Sequence, residues 1–178
     1  MAEKFKIAFD LDGVIVDKPP LIPKEVLEWL FRGRCRQEKL CFYFPQSGWE
    51  QSLRKLSHFY LFRPPIKENI DLIKKIAQDP CYEIYIVSGR YSFLSNETAN
   101  WLKKRQIDNS WFKKIYINLT NEPPHLFKEK ILRRIKADIF VDDNFPTIDY
   151  LRKKMPEGQF LLFQKGMTPA LSQLLGLK

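Results

Sequence analysis

Five short apolar runs, each rich in Ile, Val, Phe or Leu, punctuate the chain: Lys4–Phe9 (KFKIAF), Glu83–Val87 (EIYIV), Lys113–Asn118 (KKIYIN), Ala137–Val141 (ADIFV) and Gln159–Phe163 (QFLLF). Their shortness and near-continuous apolarity are what strands buried on both faces require. Between them, buried-type positions recur with helical spacing. The sets are Ile66, Ile70, Ile73 and Ala77; Thr98, Trp101 and Arg105; Phe127, Ile131 and Ile135; and Ile148, Leu151 and Met155. Strands alternating with helices imply right-handed crossovers. The pattern predicts an α/β chain with a Rossmann-like parallel sheet and helices on both faces.

One connection breaks the rhythm. Far more chain separates the first two strands than a single crossover helix needs, and proline pairs flank the excess: Pro19 and Pro20 on one side, Pro64 and Pro65 on the other. Each pair stiffens the backbone and interrupts helix. The expected organisation is a core of residues 1–17 and 64–178 carrying a small, mostly helical cap at 18–63, with PKEVLEWLFRG (residues 23–33) as its clearest helix. The aromatic stretch CFYFPQSGWE (residues 41–50) lines the inner face of this cap or forms the core of a small helical unit. No internal repeat or low-complexity tract is present.

In a parallel sheet, ligands bind beyond the carboxyl ends of the strands. The polar residues that follow the apolar runs fall there: Asp10 and Asp12 after the first, Ser88 after the second, Asp142 and Asp143 after the fourth. In FDLDGVIVD, two carboxylates one residue apart repel each other unless a cation or shared proton lies between them. An aspartate directly after a buried strand projects a fixed carboxylate, suited to a nucleophile or a hard-metal ligand. A second aspartate two residues on can act as general acid and base, and Gly13 lets the chain turn away. A lone DxD is usually just an acidic turn. VSGR and VDDN at the ends of other strands change that reading: Ser88 offers a hydroxyl and backbone amides at an expected helix N-terminus, and Asp142 and Asp143 add the oxygen ligands magnesium prefers. HLFKEKI offers two lysines, Lys128 and Lys130, for the missing cation. Asp17, past the apolar run, reads as a hinge or cap contact. His58 and His125 have neither metal-ligand spacing nor an obvious partner, and read as surface or satisfied structural residues.

Composition narrows the classes. A chain of 178 residues with 44% apolar content can bury one core. No apolar run has the length of a membrane span, and the N-terminus lacks a signal-peptide pattern, so the expected location is the cytoplasm, with no membrane partner. Cys35, Cys41 and Cys81 have no paired spacing, which points to reduced, structural thiols. The net charge of +9 attracts anions. Residues 18–65 hold nine basic and four acidic residues, +5 of that total, so the cap would hang a positive surface over an acidic site. Nucleic acid remains an alternative anionic partner, disfavoured because no base-reading motif or glycine-aromatic RNA signature is present.

The ordered set DLDGVIVD, VSGR, a lysine before the last core strands and VDDN resembles the four motifs of the haloacid dehalogenase-like (HAD) superfamily of phosphohydrolases, over roughly residues 5–163. The resemblance implies a Mg²⁺-dependent phosphatase acting through an aspartyl-phosphate. It makes Asp10 the nucleophile, Asp12 the acid and base, Ser88 a donor to the phosphoryl group, and Lys128, by its spacing to FVDD, the neutralising cation in preference to Lys130. Mg²⁺ would be held by Asp10, the Asp12 carbonyl and Asp142, with Asp143 acting through water, ligating the metal directly or capping a helix. Ser88, Gly89 and Arg90 would bind substrate, Arg90 alternatively capping a helix. Further likeness of TANWLKKRQI, KADIFVDDN and FLLFQKGMTP to short deoxyribonucleotidase-type proteins implies a small nucleotide monophosphate as substrate, with a sugar phosphate as the competitor. A non-catalytic anion-binding protein is the alternative of another class.

Overall fold

The computed structural model describes residues 4–19, 40, 43–166 and 170–176. The expected cap helix at 23–33, Cys35 and Cys41 lie outside the described residues; Cys81 is an exposed free thiol. Five strands form one sheet: β1 (Phe5–Phe9), β2 (Tyr82–Tyr91), β3 (Lys114–Asn118), β4 (Ile139–Asp142) and β5 (Gln159–Leu162), ordered β3-β2-β1-β4-β5 with every neighbouring pair parallel. Each apolar run of the sequence falls on one of them. The described helices are α1 (Gly48–Ser57), α2 (Lys67–Ala77), α3 (Ser95–Lys104), α4 (Pro124–Ile135), α5 (Phe145–Lys154) and the short α6 (Leu171–Leu174).

Alternate residues of the central strands feed two cores, one on each face of the sheet. Ile7, Phe9, Ile84, Ile86 and Val141 pack with Ile73 of α2 and Trp101 of α3. Ala8, Val87 and Phe140 pack on the opposite side with Phe127 and Leu132 of α4 and Ile148 of α5. Trp101, Phe9, Phe140 and Leu132 are fully buried, and each such side chain contributes roughly 1.5–3 kcal/mol relative to exposure. The parallel sheet with helices on both faces is thus as the pattern predicts.

After Asp12 the apolar run leaves the sheet, as Gly13 predicts, whereas the end of β2 differs from the expected element. The run after Asp12 folds into a buried turn closed by Gly13 N–H to the Val16 carbonyl (2.7 Å) and Ile15 N–H to the Leu11 carbonyl (3.0 Å). β2 continues three residues past Ser88, with a shift of its pairing to β3 between Ser88 and Tyr91, so α3 starts only at Ser95. Ser88 is therefore in a strand and not at a helix N-terminus. The outgoing and returning ends of the long excursion are stitched together: Asp17 N–H donates to the Pro64 carbonyl (2.8 Å) and Ile66 N–H to the Ile15 carbonyl (2.9 Å). Among the described residues, no helix is long and apolar enough to cross a membrane.

Candidate active site

β1 and β4 are neighbours, and the pairing runs on past β1 because Asp10 N–H donates to the Val141 carbonyl at 2.8 Å. This sets the carboxylates of Asp10 and Asp142 side by side at the carboxyl edge of the sheet. Lys128, on the inward face of α4, reaches between them: its Nζ lies 2.8 Å from Asp142 Oδ2 and 3.2 Å from Asp10 Oδ1. All three are buried. Lys130 instead points to Glu122 (2.9 Å) with its side chain 62% exposed.

Asp143 completes an acidic group. Carboxylate oxygens of Asp10, Asp142 and Asp143 all lie within 4.8 Å of one another. Lys18 pairs with Asp143 at 3.2 Å. Burial, the largest effect, pushes the Asp10 carboxyl well above its ordinary range; Lys128 opposes this, and Asp142, Asp12 and Asp143 add to it. Burial and then Asp142 raise Asp143 as well. For Lys128 burial acts to lower the pKa, but the flanking carboxylates of Asp10 and Asp142 more than reverse it and hold the ammonium firmly charged. Neighbouring carboxylates that raise Asp10 and Asp143 in this way mark a site short of positive charge. Asp10 Oδ1 is buried with no hydrogen bond, Lys128 facing it without hydrogen-bond alignment. Hard oxygen donors with an unsatisfied buried oxygen among them fit a small divalent cation such as Mg²⁺.

Gly13 makes this close approach possible. Its φ is +78°, and a Cβ there would lie 2.2 Å from the Asp143 carboxyl carbon. Asn144 then caps α5, its Oδ1 accepting from Thr147 N–H (3.0 Å) and the Thr147 hydroxyl (2.8 Å). Its own N–H donates to Asp142 Oδ1 (3.0 Å), which fixes that carboxylate.

Asp12 faces a different environment. Arg90 grips it with two prongs, Nε to Oδ2 and Nη2 to Oδ1, both 2.7 Å, and Arg63 Nη2 also donates to Oδ1. Burial acts to raise the Asp12 carboxyl, but the guanidinium charges of Arg90 and Arg63 prevail and hold it well below the usual carboxylate range. Arg90 thus engages a carboxylate in the site and also Thr98 Oγ1 (2.9 Å). Ser88 is buried, and its Oγ accepts from Arg90 N–H at 3.3 Å.

A cleft of about 280 Å³ opens over this edge. Asp10, Asp12, Gly89, Arg90, Lys128, Asp142 and Asp143 line its floor side, and Tyr43, Arg54 and His58 from the excursion line another wall. The Arg54 guanidinium lies 5.4 Å from the Tyr43 ring centre. His58 is buried, its Nδ1 bonded to the Arg54 carbonyl (2.8 Å), and is a structural residue that also borders the cleft. His125 borders the cleft too, its ring edge-on to Tyr150 at 4.9 Å. Asp17 bonds the Lys18 N–H (2.8 Å) and pairs with Lys165, away from this group.

Sequence reasoning missed Arg63, the role of Asn144 toward Asp142 and that of Gly13 toward Asp143. Asn144 before the Phe145-Pro146 start of a helix is a legible cap signal. Arg63 gives no local signal, because only the fold brings the connector next to Asp12.

No protein-family model matches the chain, and no curated protein matches it. Solved structures do resemble it. One is a HAD family enzyme from Bacteroides thetaiotaomicron, an aspartate-to-alanine mutant in complex with magnesium and inorganic phosphate, at 14% identity and TM-score 0.58 over 97% of this chain and 99% of that one. A HAD-superfamily hydrolase of subfamily IA, variant 1, from Geobacter sulfurreducens matches at 15% identity and TM-score 0.54, covering 92% of this chain and 89% of that one. A chain of the Pnkp1/Rnl/Hen1 RNA repair complex matches at 15% identity and TM-score 0.56 over 93% of this chain. This chain spans only 45% of that longer one. At these identities the likeness is one of fold: the chain adopts the HAD-like α/β fold.

Proposed function

We propose that the protein is a Mg²⁺-dependent phosphomonoesterase working through an aspartyl-phosphate on Asp10. The observation that carries this reading is the buried Asp10–Lys128–Asp142 arrangement with Asp143 beside it, at the strand ends that border the cleft. Asp10, Asp142, Asp143 and the Asp12 carbonyl would hold Mg²⁺, which when bound neutralises charge on the phosphoryl oxygens.

In this reading an Asp10 oxygen attacks phosphorus, the ester P–O bond breaks, and the leaving oxygen takes a proton from Asp12. Asp12 then takes a proton from water, the resulting hydroxide attacks phosphorus, and the bond to Asp10 breaks to release phosphate. Lys128 favours the ionised form of Asp10 against the effect of burial and offsets the negative charge that spreads over the phosphoryl oxygens. The ionised Asp12 of this structure is in its proton-accepting state. A dianionic ester nearby draws on the same guanidinium charges and raises Asp12 toward its donating state. Ser88, Gly89 and Arg90 would steady the phosphoryl group.

The substrate in this reading is a small phosphate ester, a nucleoside monophosphate first. The Tyr43 ring and Arg54 in the cleft wall support it, because a ring and a guanidinium suit a planar, anionic ligand. The division into a core of 1–17 and 64–178 with an inserted cap at 18–63 belongs to the same proposal, supported by the backbone bonds that join Asp17 to Pro64 and Ile15 to Ile66.

The test is phosphate release from a panel of nucleoside monophosphates and sugar phosphates with Mg²⁺, for the wild type and Asp10→Asn. Turnover that EDTA and Asp10→Asn both abolish, concentrated on nucleotides, is expected. Turnover on sugar phosphates alone overturns the substrate, and activity that survives Asp10→Asn overturns the mechanism.

A further inference from the structure

We infer that Arg63 is a positioning residue for Asp12: with Arg90 it fixes the Asp12 carboxylate toward the leaving group, and it does so from the connector between α1 and α2. The inference rests on the phosphomonoesterase reading. Its basis is a buried fork of two guanidinium groups closed on one carboxylate. Arg63 and Arg90 are each 5% exposed, and between them they engage both oxygens of Asp12.

Both arginines are held by one face of α3 and its C-terminal turn. Arg90 Nη1 donates to Thr98 Oγ1, whose hydroxyl in turn donates to the Leu94 carbonyl at 2.8 Å. Trp101 Nε1 donates to the Arg63 carbonyl at 2.7 Å, and Arg105 Nη2 reaches the Tyr60 carbonyl (2.7 Å) and the Arg63 carbonyl (3.3 Å). The Thr98, Trp101 and Arg105 spacing, which by sequence alone marks a packed helix face, thus supports the side chain of one arginine and the backbone of the other.

A structural role alone accounts poorly for Arg63. Its Nε is buried without a hydrogen bond, and buried ion pairs seldom repay their desolvation. An acid and base must instead be held in place, since misplacement by about 1 Å costs on the order of 100-fold in rate. The two arginines are not equivalent: Arg90 is two-pronged, whereas Arg63 makes its contact through Nη2 alone. A lysine can supply a single donor but cannot replace a fork.

The experiment compares R63M, R63K and R90K on two esters: the monophosphate that the panel above ranks first, whose alkoxide leaving group needs a proton, and p-nitrophenyl phosphate, whose leaving group does not. R63M is expected to lower kcat/KM, which covers only the steps up to aspartyl-phosphate formation, roughly 100-fold on the alkyl ester and less than about tenfold on the nitrophenyl ester, with R63K keeping most of the wild-type value on the alkyl ester and R90K little of it. Equal losses on both esters, or an R63K as impaired as R63M, overturn the inference while leaving the phosphatase reading intact. A wild type that hydrolyses neither ester overturns that reading and this inference with it. Should R63M not fold, R63Q is measured in its place. Thermal melts of D12N and D12N/R63M test the contact without activity. The double variant, with one fewer uncompensated buried cation, is expected to melt above D12N, and a lower melting point overturns the contact.

Discussion

Lys128 Nζ stands between two buried carboxylates, 2.8 Å from Asp142 and 3.2 Å from Asp10, at the ends of adjacent parallel strands. Replacing it by methionine leaves both acids in a low-dielectric site with no cation. Lys128→Met is expected to cost about 3–5 kcal/mol in metal-free urea denaturation and on the order of 100-fold or more in turnover. Lys130→Met removes an exposed pair with Glu122 and is expected to cost under about 1 kcal/mol with turnover nearly unchanged. A larger catalytic loss in Lys130→Met than in Lys128→Met contradicts the geometry.

Gly13 combines a left-handed φ of +78° with a 2.2 Å approach of its absent Cβ to Asp143. Either a methyl group is accommodated by strain or Asp143 moves. Gly13→Ala is expected to destabilise the fold by about 1–3 kcal/mol, the range for a residue forced into a sparsely populated backbone region, and to weaken Mg²⁺ binding in titration calorimetry. Unchanged stability together with unchanged affinity would count against both consequences.

Much of this site is legible in the sequence because strand ends carry it. Apolar runs fix where β1 and β4 finish, and a parallel sheet gathers those ends, so the convergence of Asp10, Asp142 and Asp143 is legible in the sequence. Helical spacing on α4 leaves both Lys128 and Lys130 in view. What separates them is which one the inward face of α4 carries toward β1, a tertiary fact. Ser88 shows another limit: the strand does not stop at the serine, since β2 continues through a shift in its pairing to β3. Arg63 shows a third, because nothing local in FRPP states that a connector arginine meets an aspartate fifty-one positions earlier. Periodicity reports which face a residue shares; it carries no information on long-range polar pairing.

His58 gives the protein an acid-sensitive interior. Burial first, then the nearby charge of Arg90, pushes its imidazole pKa down to about 3 from an ordinary 6.5. Above pH 6.5 the ring is neutral in folded and unfolded chains alike, so it imposes no cost. As pH falls from there toward 3, the unfolded chain takes up a proton that the folded protein refuses, and stability falls by about 1.4 kcal/mol per pH unit. Asp12, whose carboxyl is lowered in the fold, acts in the same direction, but only below the ordinary carboxylate range. His125, also lowered in the fold, acts in the same direction over this interval and the raised Asp10 and Asp143 act oppositely, so denaturation midpoints from pH 7 down to roughly pH 4.5 isolate His58 only as the difference between the wild type and His58→Asn. His58→Asn is expected to flatten the decline in this interval, and an unaltered slope would show that another group drives it.

The acidic group predicts a stabilisation that does not depend on turnover. In the metal-free protein burial, and with it repulsion from Asp142, raises Asp10 and Asp143. A divalent cation that binds only the folded chain relieves this repulsion and stabilises by mass action, about 2.7 kcal/mol at a hundredfold excess over Kd. Mg²⁺ is therefore expected to raise the thermal midpoint in a concentration-dependent way, and EDTA to reverse it. Asp142→Asn keeps the fold of β4 but removes a hard ligand and is expected to abolish most of the shift. Asp143→Asn distinguishes direct ligation from action through water: a shift lost as completely as in Asp142→Asn marks direct ligation, and a partial loss marks a water-mediated role. A Mg²⁺ response that is the same in Asp142→Asn and the wild type would place the cation elsewhere and remove the electrostatic basis for the phosphatase reading.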